Sequence, residues 1–237
     1  MARGKHPKAR KPRSNPPKDA GPTQILPYLF VGPRTTTEPS VAAAAGITHI
    51  ISLGCWPKHD NNSNNSNNST SNDSNAKEQK GSGVGDGQRR RMTYHHIGLK
   101  DTKESDLSTA ALLVADIIAN ARPRTSQQGK DGGIPGGEKE DAKVLVHCMA
   151  GVSRSPAVLA YYLMREEGMS LRDALGTIAR ARPATRPNDG FLRQLRELEL
   201  SLRGEETLEK VESLPLRTKE RMSLLLGLEE GEKKPER

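Results

Sequence analysis

The stretch VLVHCMAGVSRSPAVLAYYLM (residues 144–164) constrains the fold of this chain more than any other. Its short β-branched apolar run reads as a buried strand. A loop of mostly small residues follows, from Cys148 to Arg154. A helical run then begins near Ser155, with Pro156 favoured in its first turn and Gly168 as its stop. A buried strand feeding a helix through a tight loop is a building unit of α/β architecture.

The joint also has a chemistry. A helix N-terminus leaves N–H groups without partners and carries the positive end of the helix dipole. A loop of small residues, with Gly151 free of Cβ constraint, can curl its amides into an anion cradle. Arg154 adds a planar fork that matches two phosphate oxygens. The same surroundings stabilise a thiolate, and helix N-termini and cations bring a cysteine pKa from about 8.5 to roughly 3.5–7.5. Ser155 is placed to donate its hydroxyl to the Cys148 sulfur, and His147 to hold the loop from behind. A lone thiol at a strand end is often only a small buried hydrophobe. Histidine before it, Gly151 within the loop and Ser-Arg-Ser at its end favour a nucleophile.

The rest of the chain is organised around that joint. Residues 24–33 (QILPYLFVGP) read as a strand and turn, 47–54 (ITHIISLG) and 92–98 as further strands, and TEPSVAAAAGI as a short helix capped by Thr37 or Ser40. Downstream of residue 105, apolar residues at 112, 113, 114, 117 and 118 mark a helix with Asp106 or Ser108 as cap. SLRDALGTIARARP is another, with Ser170 as cap and Asp173 completing the capping box, and NDGFLRQLRELELSLRG a third. The expectation is α/β: a central, mostly parallel sheet of four to five strands flanked by helices, with two disordered insertions.

Those insertions are compositional. Residues 58–91 are rich in Asn and Ser, then Gly, and 122–141 in Gly and Pro. Neither buries enough apolar surface to offset ordering entropy. Long insertions between packed elements cost little, because loop closure grows only logarithmically with length. With 33% hydrophobic and 3% aromatic residues overall, one modest core is expected. The domain reading is a disordered basic tail over 1–21, a catalytic domain over 22–203 containing both insertions, and a charged C-terminal tail over 204–237.

Residues 1–20 carry seven Lys/Arg and one acid, which accounts for most of the net charge of +8. Such an arm suits the cytoplasm or nucleus. It has no interleaved aromatics to stack bases, so nucleic acid is not the expected partner. No window is apolar for the roughly 18 residues a membrane span needs. Two cysteines make neither a disulfide framework nor a zinc cluster. No metal or cofactor is expected, and no pattern specifies an oligomeric state.

HCMAGVSRS resembles the H-C-x5-R motif of cysteine-dependent phosphatases, and its G-x-S-R-S ending resembles that of the dual-specificity protein phosphatases, here an atypical small member. The resemblance takes in QILPYLFVG, GITHIISLG and RPNDGFLRQLRELE. It implies an enzyme that moves a phosphoryl group onto Cys148 and then onto water, with Cys148, Arg154, Ser155 and Asp101 catalytic. Asp101 matches the family's general acid; Asp106 and Glu104 are the competing carboxylates nearby. Met149, Ala150, Gly151, Val152, Ser153 and Arg154 would contact the phosphate, and His147 and Asn188 would support the loop, Asn188 alternatively as a turn residue or helix cap. In some relatives a cysteine near Cys55 forms a protective disulfide with the oxidised nucleophile; Cys55 is otherwise a partly buried thiol. Met149, Ala150 and Val152 put no cation inside the loop, unlike relatives that act on inositol phosphates, so a phosphoprotein substrate is implied. The alternatives are a phosphatase for RNA 5′ ends, phosphoinositides or glucans, and a catalytically silent phospho-binding scaffold.

Overall fold

The computed structural model describes residues 21–54, 92–121 and 142–227. The basic arm, both insertions and Cys55 lie outside the described residues.

Five strands form one sheet in the order β1-β2-β5-β3-β4. They are β1 (Thr23–Leu26), β2 (Leu29–Gly32), β3 (His49–Leu53), β4 (Thr93–Ile97) and β5 (Val144–His147). Only β1 is antiparallel; β2, β5, β3 and β4 run parallel. The mostly parallel sheet expected from the sequence is therefore present. The single strand expected within residues 24–33 is a hairpin instead. Pro27 cannot donate a ladder hydrogen bond, and the chain turns at Pro27 and Tyr28.

β5 is central. Val146 pairs with Val31 of β2 and with Ile51 of β3, and His147 with Gly32 and Ser52. Alternation divides its side chains. Val144 and Val146 enter the main core, while Leu145 joins a smaller one with Phe30, Ile50, Ala42 and Ile47.

Helix α1 (Pro39–Ala44) lies beside the smaller core. Neither Thr37 nor Ser40 caps it. Glu38 occupies the cap position without a side-chain capping bond, and Thr36 and Thr37 turn their hydroxyls back to the Pro33 and Arg34 carbonyls in a 3-10 turn. The main core is built by α2 (Leu107–Ala121), α3 (Arg154–Glu166), α4 (Leu171–Ala181) and α5 (Asp189–Arg203). Every α3 residue from 155 to 164 is buried. A fully buried side chain such as Leu159 contributes about 1.5–3 kcal/mol of transfer free energy, which fixes the helix that follows the loop. On α2 the large side chains Leu112 and Leu113 are exposed, and small Ala110, Ala111 and Ala115 face the core with Val114 and Ile118. α2 packs against α3 with these small residues buried.

The charged tail expected from residue 204 is, over 205–226, a packed segment ending in α6 (Thr218–Leu226). Leu208, Leu214 and Leu225 are buried in the main core. The buried Glu199 carboxylate accepts the Leu171 amide at the start of α4 (2.6 Å) and the Thr207 amide (2.8 Å). Arg172 donates to the Thr207 and Leu224 carbonyls. Polar anchors on α4 and α5 hold a segment whose leucines follow no helical or strand period. Among the described residues no helix is long and apolar enough to cross a membrane.

Candidate active site

Cys148 stands one residue beyond β5, at the carboxyl end of the parallel strands, where ligands bind in open α/β sheets. The loop from Met149 to Ser153 owes its shape to its carbonyls. Met149 O accepts the Arg34 amide (3.1 Å) and Val152 O the Arg186 amide (2.8 Å). Arg182 spans the two between, Nη2 donating to Ala150 O (3.0 Å) and Nε to Gly151 O (2.7 Å). The C=O and N–H of one peptide point in opposite directions, so four carbonyls tied to the wall turn the amides of 150–153 the other way. The Gly151 amide accordingly points at Cys148 Sγ (3.3 Å). Gly151 has φ +65°, and a Cβ there would lie 2.6 Å from the Gly32 carbonyl group. Only glycine satisfies both the left-handed backbone and that close approach.

Cys148 is 2% exposed. Burial pushes its thiol pKa up. The Ser155 hydroxyl (3.3 Å), the Ser155 and Gly151 amides and the Arg154 charge outweigh burial and hold it below the ordinary thiol value. His147 behind it is buried. Burial above all, with the charges of Arg34, His96 and Arg154, lowers its pKa to about 4, so the ring is neutral at physiological pH. Its Nδ1 lies 3.3 Å from Cys148 O, and a carbonyl only accepts, so the bond requires the proton on Nδ1.

Arg154 begins α3 and turns back across the loop. Its Nη1 donates to Leu53 O (3.1 Å) and Leu99 O (3.4 Å). Its Nε, shielded from solvent, makes no hydrogen bond among the described residues and lies 3.6 Å from Asp101 Oδ2. A buried guanidinium N–H lacking an acceptor is costly, and an anion in the cradle would supply one. Gly54, φ +63°, makes room for this side chain; a Cβ there would lie 2.6 Å from Nη1.

Asp101, on the loop after β4, is brought to the same place. Its Oδ1 accepts the Ser153 hydroxyl (2.7 Å) and Asn188 Nδ2 (2.9 Å). The Asn188 amide also donates to Ser153 Oγ (3.1 Å), and its Oδ1 caps α5 by accepting the Phe191 amide (3.0 Å). The competing carboxylates are elsewhere. Asp106 caps α2 through the Thr109 amide, and the Thr109 hydroxyl above all holds its pKa down; Glu104 is exposed on the loop. The loop itself is strapped to α5. Lys103 pairs with Asp189 (2.7 Å), and Gln194 donates to Ser105 O and accepts the Leu107 amide. A Cβ on Gly190 would lie 2.1 Å from Lys103 O.

Cys148, Arg154, Ser155, Asp101, Ser153 and Asn188 thus converge around one loop, with Met149 half-exposed at its rim. Sequence reasoning missed Arg34, Arg182, Arg186, Gly54 and Gln194. Arg182, at the end of ARARP, is 4% exposed. No group of three metal-ligating side chains occurs among the described residues. What the arrangement offers is a stabilised thiolate under an amide-lined loop, a cation fork and a carboxyl group.

Residues 133–201 match the family model of the dual specificity phosphatase catalytic domain. That span includes Cys148, Arg154, Ser155 and Asn188 but not Asp101. Dual specificity protein phosphatase 1 of Arabidopsis thaliana is 45% identical over 65 residues, 27% of this chain and 33% of that protein. Dual specificity protein phosphatase 18 of Mus musculus is 45% identical over 76 residues, 32% of this chain and 40% of that protein. The chain therefore covers less than half the length of these curated relatives. Among solved structures, human DUSP28 superposes with a TM-score of 0.53 at 22% identity, covering 80% of this chain and 99% of that one. The human tyrosine phosphatase-like serine/threonine/tyrosine-interacting protein superposes with a TM-score of 0.52 at 25% identity, covering 77% and 97%. A local sequence match around the loop and a likeness of fold across the sheet and helices converge: the stretch that carries HCMAGVSRS is similar to the catalytic domain of the dual specificity phosphatases.

Proposed function

We propose that this chain is a phosphoprotein phosphatase that hydrolyses phosphotyrosine and phosphoserine/threonine through a phosphocysteine intermediate. The observation that carries the reading is the Cys148 sulfur, buried yet hydrogen-bonded by Ser155 and Gly151, beneath a loop whose carbonyls are tied away from it. In the first step Sγ attacks phosphorus, the ester P–O bond breaks, and the leaving oxygen takes a proton from Asp101. With Oδ1 holding two donors, Oδ2 is the oxygen left to carry that proton. In the second step the Asp101 carboxylate takes a proton from water, the water oxygen attacks phosphorus, the S–P bond breaks and phosphate leaves. Arg154 and the loop amides stabilise the equatorial oxygens in both steps. The chemistry requires no metal or cofactor. The uncharged Met149, Ala150 and Val152 favour a singly phosphorylated protein side chain over polyphosphate headgroups. The basic arm suits a cytoplasmic or nuclear location.

The test is hydrolysis of phosphotyrosine, phosphoserine and phosphothreonine peptides, phosphoinositides, phosphorylated glucan and RNA 5′ ends by wild type, Cys148→Ser and Asp101→Ala. Phosphopeptides should turn over fastest, and only with Cys148 present. Wild type and Cys148→Ser equally inactive on every substrate under reducing conditions would favour the silent scaffold, a reading that fold alone leaves open because a phosphatase-like interacting protein shares it. Faster turnover of RNA ends, glucan or phosphoinositides would overturn the substrate class. Asp101→Ala should lose about 10²-fold on alkyl phosphates but less than about 10-fold on p-nitrophenyl phosphate, whose leaving group needs little protonation. An equal loss on both would remove Asp101 from the acid role.

Gly190→Ala is expected to copy that pattern more weakly. The added methyl group meets the Lys103 backbone and lifts the Asp101 loop from α5. A loss of about 10-fold on alkyl phosphates, with p-nitrophenyl phosphate hydrolysis within about twofold, is the result that checks it; uniform loss would point to the phosphate loop instead.

A further inference from the structure

The segment beyond the family match approaches the phosphate loop from behind. Arg221 of α6 is 3% exposed. Its Nη2 donates to Pro183 O (2.7 Å) and Thr218 Oγ1 (3.3 Å), and its Nη1 to Pro215 O (2.6 Å) and Leu216 O (3.0 Å). Every acceptor is neutral. No carboxylate pairs with it among the described residues, and the Arg186 charge faces it. A buried guanidinium without a counter-ion is an expensive way to fill space. Methionine or leucine would pack α6 against α4 at lower cost, so the arginine is explained by the carbonyls it holds.

Pro183 is the informative one. It directly follows Arg182, whose guanidinium spans the Ala150 and Gly151 carbonyls. Three residues further on, the Arg186 amide holds Val152 O. The connector between α4 and α5 is thus tied to the phosphate loop on its inner side, by these three hydrogen bonds and a fourth from the Asn188 amide to Ser153 Oγ (3.1 Å). Its outer side is exposed at Pro183 and Ala184, and Arg221 is the side chain that bonds it there among the described residues. We propose that Arg221 is a positioning residue for the phosphate-binding loop: by fixing Pro183 O it sets Arg182, and through Arg182 the orientation of the loop amides, so that the segment over 205–226 is part of the phosphatase rather than an appendage to it. The inference rests on the phosphatase reading.

The experiment uses the full chain as wild type, Arg221→Met, Arg221→Lys and Leu225→Ala. Leu225→Ala removes buried packing from the same helix and keeps the Arg221 contacts. For each, kcat and KM for p-nitrophenyl phosphate and the inhibition constant of inorganic tungstate, a phosphate-shaped oxyanion, are measured well below that variant's melting temperature. Arg221→Met is expected to raise both KM and the tungstate constant about tenfold, with kcat falling less than about threefold. Arg221→Lys, which keeps the charge but not the fork, should raise them about threefold. Leu225→Ala should lower the melting temperature and leave the tungstate constant within about twofold. A tungstate constant unchanged in Arg221→Met overturns the inference. So does an equal rise in Leu225→Ala, which would make the effect one of general loosening. If Arg221→Met does not fold, the comparison of Arg221→Lys with Leu225→Ala decides in the same terms. A wild-type chain that neither turns over nor binds tungstate overturns the phosphatase reading itself.

Discussion

Cys148→Ser is expected to abolish turnover, by about 10⁴-fold or more, while leaving the fold and phosphate binding intact. The exchange replaces sulfur by a smaller oxygen and removes almost all of the nucleophilicity. A thiol in this loop ionises readily because Ser155, the loop amides and Arg154 favour the charged form over the cost of burial. A hydroxyl ionises far less easily, and nothing here would take its proton. His147 uses Nδ1 on the Cys148 carbonyl behind the strand end, and in the proposed first step Asp101 gives a proton to the leaving oxygen rather than taking one. Among the described residues the first step has no base for a serine nucleophile, unlike a Ser-His arrangement. The amide cradle and Arg154 are untouched, so a phosphopeptide should still bind with wild-type affinity by calorimetry and stay unhydrolysed. The companion expectation concerns pH. Since the thiolate is the reactive form and its pKa is lowered, wild-type kcat/KM should rise with pH and reach its plateau below the ordinary thiol range. Retention of even 1% of wild-type kcat by the serine variant, or an acid limb at or above that range, would remove the thiolate from the reaction.

The strand, loop and helix around Cys148 were legible because their signals are local. A short apolar run, a helical run, one obligatory glycine and a Cys-to-Arg spacing all lie within residues 144–164. The helix caps at Ser170 and Asn188 were legible for the same reason. The supports of the loop were not, because each acts through an approach that only the tertiary fold creates. Arg182 stands 31 residues beyond the Gly151 carbonyl it holds, and Arg34 reaches Met149 from the other end of the domain. In sequence both look like surface cations. Gly54 and Gly190 look like ordinary turn and cap residues, whereas each leaves room for another segment, the Arg154 side chain and the Lys103 backbone. The helical pattern on α2 did not say which face packs: alanines take the core and Leu112 and Leu113 do not. The tail was read from its charge alone, and its packing rests on Leu208, Leu214 and Leu225, which follow no regular period.

Arg154→Lys, nominally conservative, is expected to lower kcat/KM about 10³-fold, because three tasks of one guanidinium cannot be shared by one ammonium group. Nη1 is committed to Leu53 O and Leu99 O, which sets the side chain across the loop. Nε, without an acceptor, faces the cradle beside Asp101. The plane of the fork then matches two phosphate oxygens at once. A lysine placed here either bonds the two carbonyls and withdraws from the phosphate, or meets the phosphate and leaves those carbonyls unpaired in a space that Gly54 keeps free for Nη1. The loss should fall equally on p-nitrophenyl phosphate and alkyl phosphates, since charge on the phosphoryl oxygens does not depend on the leaving group. That separates it from Asp101→Ala, whose loss grows as the leaving group worsens. The tungstate inhibition constant should rise in the same variant. A lysine variant within about tenfold of wild type would mean that positive charge alone suffices and that the fork geometry contributes less than about 1.4 kcal/mol.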